Sequence, residues 1–200
     1  MKKTTAFLLA AILLASCSHK KIIIFIKGDA DINKDAKTIT IKDAAGTVEK
    51  TVTYGSSGSL TLKLIHPGGE SNVEITGSGY YVLNAKNDTI VGSLQHYSEK
   101  MSADTIRQET IKKSIDSLEL LMQGKNVSAA NHNYFVLPYQ AVKVTDNDDA
   151  IIVAPFHQMM SVEKDGSKDP EIYRFFSLRE IREKIEKQRA MTVMPVPPAK

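Results

Sequence analysis

Apolar and polar residues alternate in short runs through the first half of the chain. Lys37–Lys42 sets Ile39 and Ile41 on one face, and Ser59–Ile65 does the same for Leu60, Leu62 and Leu64. A period of two is that of a β-strand with one side buried. Ile22-Ile23-Ile24-Phe25-Ile26 does not alternate. An unbroken run of that length, rich in β-branched residues, predicts a strand buried on both faces. Thr47–Tyr54, the stretch around Val73 and Ile75, Tyr80–Leu83 and Thr89–Gln95 complete a set of seven short strands. Turn residues separate them: Asp43–Gly46, Gly55–Gly58, His66-Pro67-Gly68-Gly69, Gly77-Ser78-Gly79 and Asn84–Asp88. Proline presets one turn dihedral and glycine supplies positive φ.

The period changes after Ser98. Ile111, Ile115, Leu118 and Met122 fall at i, i+4, i+7 and i+11, one stripe of a helix from about Ser102 to Gln123. Gly124 stands where a left-handed cap belongs. Tyr134–Leu137, Ala141–Val144 and Ala150–Ala154 read as strands, with Asp146-Asn147-Asp148-Asp149 turning the last pair. Ser177-Leu178-Arg179-Glu180 has the capping-box spacing and opens a helix with Leu178, Ile181 and Ile185 inward. Met194-Pro195-Val196-Pro197-Pro198 cannot continue it. The predicted class is α+β: an N-terminal antiparallel β-sandwich or barrel-like domain over 22–97, an amphipathic helix over 98–124, a small αβ unit over 125–190 and a Pro-rich tail over 191–200.

The N-terminus follows another logic. Lys2-Lys3 precedes an apolar core from Ala6 to Ala15, and the only cysteine closes the stretch Leu14-Ala15-Ser16-Cys17. A ten-residue apolar core is too short to span a bilayer, which takes about 20 residues. Basic, apolar, then small residues is the order of a cleaved export signal. The stretch resembles a bacterial lipoprotein signal peptide ending in a lipobox. That resemblance implies a signal over 1–16, a lipid on Cys17, and a tether over 17–21 that holds the chain to a membrane of the cell envelope. Each buried CH₂ adds about 0.8 kcal/mol of membrane affinity, so two or three chains anchor stably. Ser18 stands where the enteric sorting pattern uses Asp for the inner membrane, so the same resemblance favours the outer membrane, facing the periplasm.

The formal net charge of +3 falls to +1 once Lys2 and Lys3 leave with the signal. Such a balance argues against a nucleic-acid partner, which calls for a clustered basic face. A single cysteine allows no intrachain disulfide, so a core must carry stability, and 42% apolar residues make one feasible. The absence of Trp weakens any case for a carbohydrate-stacking platform.

Candidate chemistry is sparse. Asp29, Asp31, Asn33 and Asp35 place oxygens on alternate residues, as calcium loops do, but Lys34 replaces the required Gly and Thr40 the bidentate Glu. A polar turn joining two strands is the favoured reading there, and Asp146, Asp148 and Asp149 are weaker still. His19, His66, His96, His132 and His157 fall in no zinc spacing, and His66 and His132 read as surface-loop residues. Gly55-Ser56-Ser57-Gly58-Ser59 lacks the last glycine of a nucleophile elbow, and Gly77-Ser78-Gly79 has Val82 where a dinucleotide fingerprint needs glycine. No catalytic residue and no cofactor is expected.

Asp88-Thr89-Ile90, Asp104-Thr105-Ile106 and Asp116-Ser117-Leu118 resemble the sites that one group of Gram-negative bacteria O-glycosylates, which marks Thr89, Thr105 and Ser117. Tyr134, Phe135, Pro138 and Tyr139 form either a binding edge or, more commonly, a core strand ending at proline. The expected role is a non-catalytic binding or scaffolding module with an envelope protein partner. The alternative is a divergent enzyme or metal-binding protein, for which His96, His132 and His157 would have to converge with an acidic residue.

Overall fold

The computed structural model describes residues 21–55, 58–95, 108–147, 149–153 and 171–193. The stretch expected to be a signal, Cys17 and the Pro-rich stretch from Met194 lie outside them. The described chain is mixed α+β, with twelve strands in three four-stranded sheets and two helices. None of its helices is long and apolar enough to cross a membrane.

The isoleucine run forms β1 (Lys21–Lys27). It lies inside the first sheet, antiparallel to β4 (Glu49–Gly55) and parallel to β7 (Gly79–Asn84), whose far side pairs with β10 (Ala141–Thr145). The second sheet runs in the order β2 (Asp29–Asn33), β3 (Thr38–Asp43), β5 (Ser59–His66), β6 (Gly69–Thr76). The third runs β11 (Ile151–Val153), β12 (Ile172–Ser177), β8 (Ile90–Leu94), β9 (Asn133–Val136). Helices α1 (Gln108–Met122) and α2 (Leu178–Val193) complete the described chain.

Three sequence expectations change. First, the β domain is not purely antiparallel, since β1–β7 and β3–β5 are parallel. Alternation reports which face a residue takes, not the direction of its neighbour. Second, residues 21–94 hold eight strands rather than seven, because Asp29–Asn33 is strand and not turn. Gly28 alone bends the chain from the first sheet into the second, at φ 127°, where a Cβ would stand 3.0 Å from the Ala85 carbonyl carbon. Third, β10 and β11 are not a hairpin: they lie in different sheets. Hydrogen bonding also crosses residue 98, since β10 joins β7 and β8 joins β9.

Burial explains the layering. Ile22, Ile24 and Ile26 share one hydrophobic cluster with Ile39, Leu62, Leu64 and Ile75 of the second sheet. Phe25, with Ile23 beside it, faces the other way into a cluster with Tyr134, Tyr173 and Phe175 of the third sheet. The first sheet is therefore covered on both faces, as the isoleucine run predicts. Each fully buried Ile or Phe contributes about 1.5–3 kcal/mol. The outer face of the third sheet, through Val91 and Phe176, packs on Ile111, Ile115, Ile181 and Ile185 of the helices. Gly124 closes α1 at φ 68°: its N–H donates to Leu121 O at 3.0 Å and that of Lys125 to Leu120 O at 2.9 Å. That is the Schellman pattern.

Charge is buried where β1 ends. Lys27 is 2% exposed, and its Nζ sits 2.9 Å from Glu49 Oε1 and 3.3 Å from Glu180 Oε2. Glu180 also accepts the Ser177 N–H at 2.6 Å while its own N–H donates to Ser177 Oγ at 3.3 Å, the reciprocal capping box. Lys86 caps the carbonyls of Ala45 and Gly46 nearby, and burial pushes its ammonium down against the opposing pull of Glu180. Lys27→Met leaves two carboxylates without their shared cation. We expect a loss of about 3 kcal/mol in urea unfolding, and an unchanged midpoint would contradict the pairing.

The buried phenols set an alkaline limit. Burial pushes Tyr54, Tyr80, Tyr81, Tyr134 and Tyr173 above their ordinary value of 10. The folded chain keeps protons that the unfolded chain releases, so stability is full below pH 10 and falls as pH rises beyond it. Lys86 and Lys184, lowered by burial, act in the opposite sense but are fewer. The urea midpoint should drop between pH 10 and about pH 12. A midpoint that rises over that range would contradict the account.

Candidate functional site

The site begins at a turn. In Leu137-Pro138-Tyr139-Gln140 the Gln140 N–H donates to Leu137 O at 3.3 Å, and Tyr139 takes φ 62°. Proline suits the second position of such a turn, but a positive φ at the third normally calls for glycine. A tyrosine there costs roughly 1–2 kcal/mol. Asn84, fully buried at the end of β7, holds the turn. Its N–H donates to Gln140 O and its carbonyl accepts the Tyr139 N–H, both at 2.9 Å. Its side chain is fully used as well: Nδ2 donates to Asp88 O at 2.8 Å and Val136 O at 3.0 Å, and Oδ1 accepts the Lys86 N–H at 2.9 Å.

The clamp presents the Tyr139 ring to His66, the last residue of β5. The rings stack at 4.1 Å between centroids and 12° between planes. His66 Nδ1 accepts the Gly68 N–H at 3.2 Å, which leaves the ring proton of a neutral imidazole on Nε2. An open groove of about 480 Å³ lies here, between β6 and the segment leading into β10, lined among others by His66, Ser71, Asn72, Glu74, Tyr139 and Gln140. Ser71 Oγ is buried without a hydrogen-bond partner, and Glu74 is exposed with no ion partner among the described residues. Among the described residues no base bonds the serine hydroxyl. The groove is lined by the half-buried ring of Tyr139, the carboxylate of Glu74 and the Ser71 hydroxyl.

The sequence-predicted residues are dispersed. Asp29, Asp31 and Asn33 alternate along β2, where Asp31 pairs with Lys42 at 2.9 Å and Asp29 lies 3.5 Å from Lys50 Nζ. Asn33 Oδ1 accepts the Ala36 N–H, and Asp35 sits in the turn beyond the strand. Among the described residues no three His, Cys, Asp or Glu are grouped to hold a metal. Ser117 is exposed on α1; Thr89 is half-buried and its carbonyl accepts the Leu178 N–H at 3.2 Å. Cys17, Thr105, Asp148, His19, His96 and His157 lie outside the described residues.

Neither described histidine is a bare loop residue. His66 stacks on Tyr139, and His132 Nδ1 lies 3.2 Å from Tyr173 Oη, a hydroxyl that donates to Glu171 Oε2 at 3.3 Å. They do not share a site. The predicted aromatic edge divides: Tyr134 is core, its hydroxyl donating to Val144 O at 2.6 Å, and Phe135 packs among the helix contacts. Only Pro138 and Tyr139 reach the groove. Asn84 and Lys27 carry no sequence signal beyond a polar residue ending an apolar run.

The clamp predicts an asymmetry. Asn84→Ala strands two buried carbonyls and one buried N–H, and should cost about 2–3 kcal/mol. Tyr139→Gly exchanges the stacked ring for a relaxed backbone and should stay within about 1 kcal/mol of the parent. Urea unfolding of both variants checks this, and the opposite order would refute it.

No protein-family model matches the chain, and no curated protein and no solved structure matches it either.

Proposed function

We propose that this chain is a bacterial envelope lipoprotein, anchored through a lipid on Cys17, and that its described residues form a non-catalytic module that binds or scaffolds another envelope protein. Leu14-Ala15-Ser16-Cys17, behind a basic and then apolar leader, is the observation that carries the reading. Ser18 in place of Asp favours the outer membrane, with the module facing the periplasm. The first two sheets, sharing one core, are taken as the sandwich of that module.

Geometry supports a division between an anchored end and a recognition end. β1 starts at Lys21, so at about 3.5 Å per residue the chain reaches at most roughly 14 Å from Cys17 to the sheet. Lys20 and Lys21 then lie near headgroups, where each basic residue adds about 1 kcal/mol at an anionic surface. Lys21 pairs with Gly55 at one end of β1, whereas Lys27 pairs with Asn84, the residue that clamps the groove turn, at the other. Six residue steps separate them, about 20 Å along the strand. The groove thus opens at the end of the sheet away from the lipid.

Cys17→Ser tests the anchor. The variant should take up no clickable fatty acid and should move from the membrane to the soluble fraction. Labelling that persists in the variant would overturn the reading.

A further inference from the structure

Strand β6 differs from every other edge of the described sheets. Sheet edges expose unpaired N–H and C=O groups, and proteins usually blunt them with lysine, proline, a bulge or shortness. β2 and β10 carry register breaks, β11 and β9 have three and four residues, and β4 carries Lys50. β6 has fewer of these guards: Gly69–Thr76 pairs with β5 over eight unbroken positions and contains neither lysine nor proline, its charges being Glu70 and Glu74. β5 is its only neighbour among the described strands, and of its outward-facing groups the Thr76 carbonyl already accepts the Tyr81 hydroxyl at 2.5 Å.

The groove lies along that edge. Glu70 is neutralised by Lys63 at 2.8 Å, which leaves Glu74, among the described residues, as an uncompensated carboxylate on the exposed face of the strand, while Ser71 lies on the other face. The opposite wall is the ring of Tyr139, kept in a costly backbone conformation and stacked on His66. Strain of this kind persists where the surroundings enforce it, and it gathers at binding sites.

The geometry points to β6 as the docking edge for an extended, arginine-bearing segment of a partner protein, which adds to the second sheet as a fifth strand. Backbone pairing along β6 supplies the affinity, as in strand addition generally. Arginine supplies the specificity, because a planar guanidinium pairs with a carboxylate and also stacks on an aromatic face. A second copy of this chain fits less well: antiparallel pairing of β6 with itself would bring the Glu70 and Glu74 carboxylates of both copies together. The proposal rests on the binding-module reading but not on the lipid.

The test uses the purified full-length protein and nine-residue labelled peptides of alternating threonine and valine, with a central arginine or a central glutamate. Fluorescence anisotropy should show the arginine peptide binding at least tenfold more tightly. Glu74→Lys should invert that preference. Tyr139→Gly should weaken the arginine peptide about tenfold while the urea midpoint holds, so loss of binding is not loss of fold. N-methylating the peptide backbone at alternate positions should abolish binding in one of the two registers. Equal affinity for both peptides, no inversion by Glu74→Lys, or indifference to N-methylation in both registers would overturn the proposal. So would a dimer in sedimentation that Asn72→Pro dissolves, since the edge would then belong to a second copy. Failure of Cys17 labelling would leave these outcomes unaffected, which separates the two readings.

Discussion

A strand covered on both faces must be apolar on both faces, and a charge at its end must be paired before it is buried. β1 meets both conditions. Its isoleucines and Phe25 seed two of the three hydrophobic clusters, and Lys27 ends the strand between Glu49 and Glu180. Breaking such a buried pair costs far more than forming it contributes, because the orphaned charge stays behind. The ammonium of Lys27 therefore acts less as a source of stability than as a constraint on arrangement. It draws β4 and the first turn of α2 to the same end of the first sheet, and the capping box of α2 uses the same Glu180 carboxylate.

That end of the sheet is also where the groove turn is fixed. Asn84 lies opposite Lys27 in the β1–β7 register, and the Ala85 N–H donates to the Lys27 carbonyl at 2.9 Å. From Asn84 the chain of hydrogen bonds runs to Tyr139 and Gln140 on one side and to Lys86, Asp88 and Val136 on the other. A buried amide with all its valences used tolerates no displacement without leaving a group unpaired. The strained Tyr139 backbone is thus held through Asn84, which does not itself line the groove. This separates the residues that shape the groove from those that line it.

Local features were legible in the sequence and non-local ones were not. The isoleucine run reported two-sided burial, Gly124 reported a helix cap, and Ser177 with Glu180 reported a capping box, because each depends on residues within a few positions. Strand direction was not legible: β1 and β7 pair across 57 residues (Ile22 with Gly79), and alternation is the same for either direction. The strand at Asp29–Asn33 was masked by its acids, although Ala30 and Ile32 alternate with them as a strand requires. Of the groove, Pro138 and Tyr139 were visible as a proline-broken aromatic stretch. His66, Ser71 and Glu74 were not, because they reach it from a hairpin about seventy residues earlier, and nothing in a short window reports that meeting.

The first sheet, covered on both faces, should be the last part of the molecule to open. Native-state hydrogen exchange measures this directly, since amides that open only with the whole fold exchange at the free energy of global unfolding. The amides of Ile24, Phe25 and Ile26 in β1, and of Tyr81, Val82 and Leu83 in β7, should exchange at that limit. Those of the edge strand β6 should exchange earlier. Exchange of the β1 amides through smaller openings than those of β6 would contradict this order.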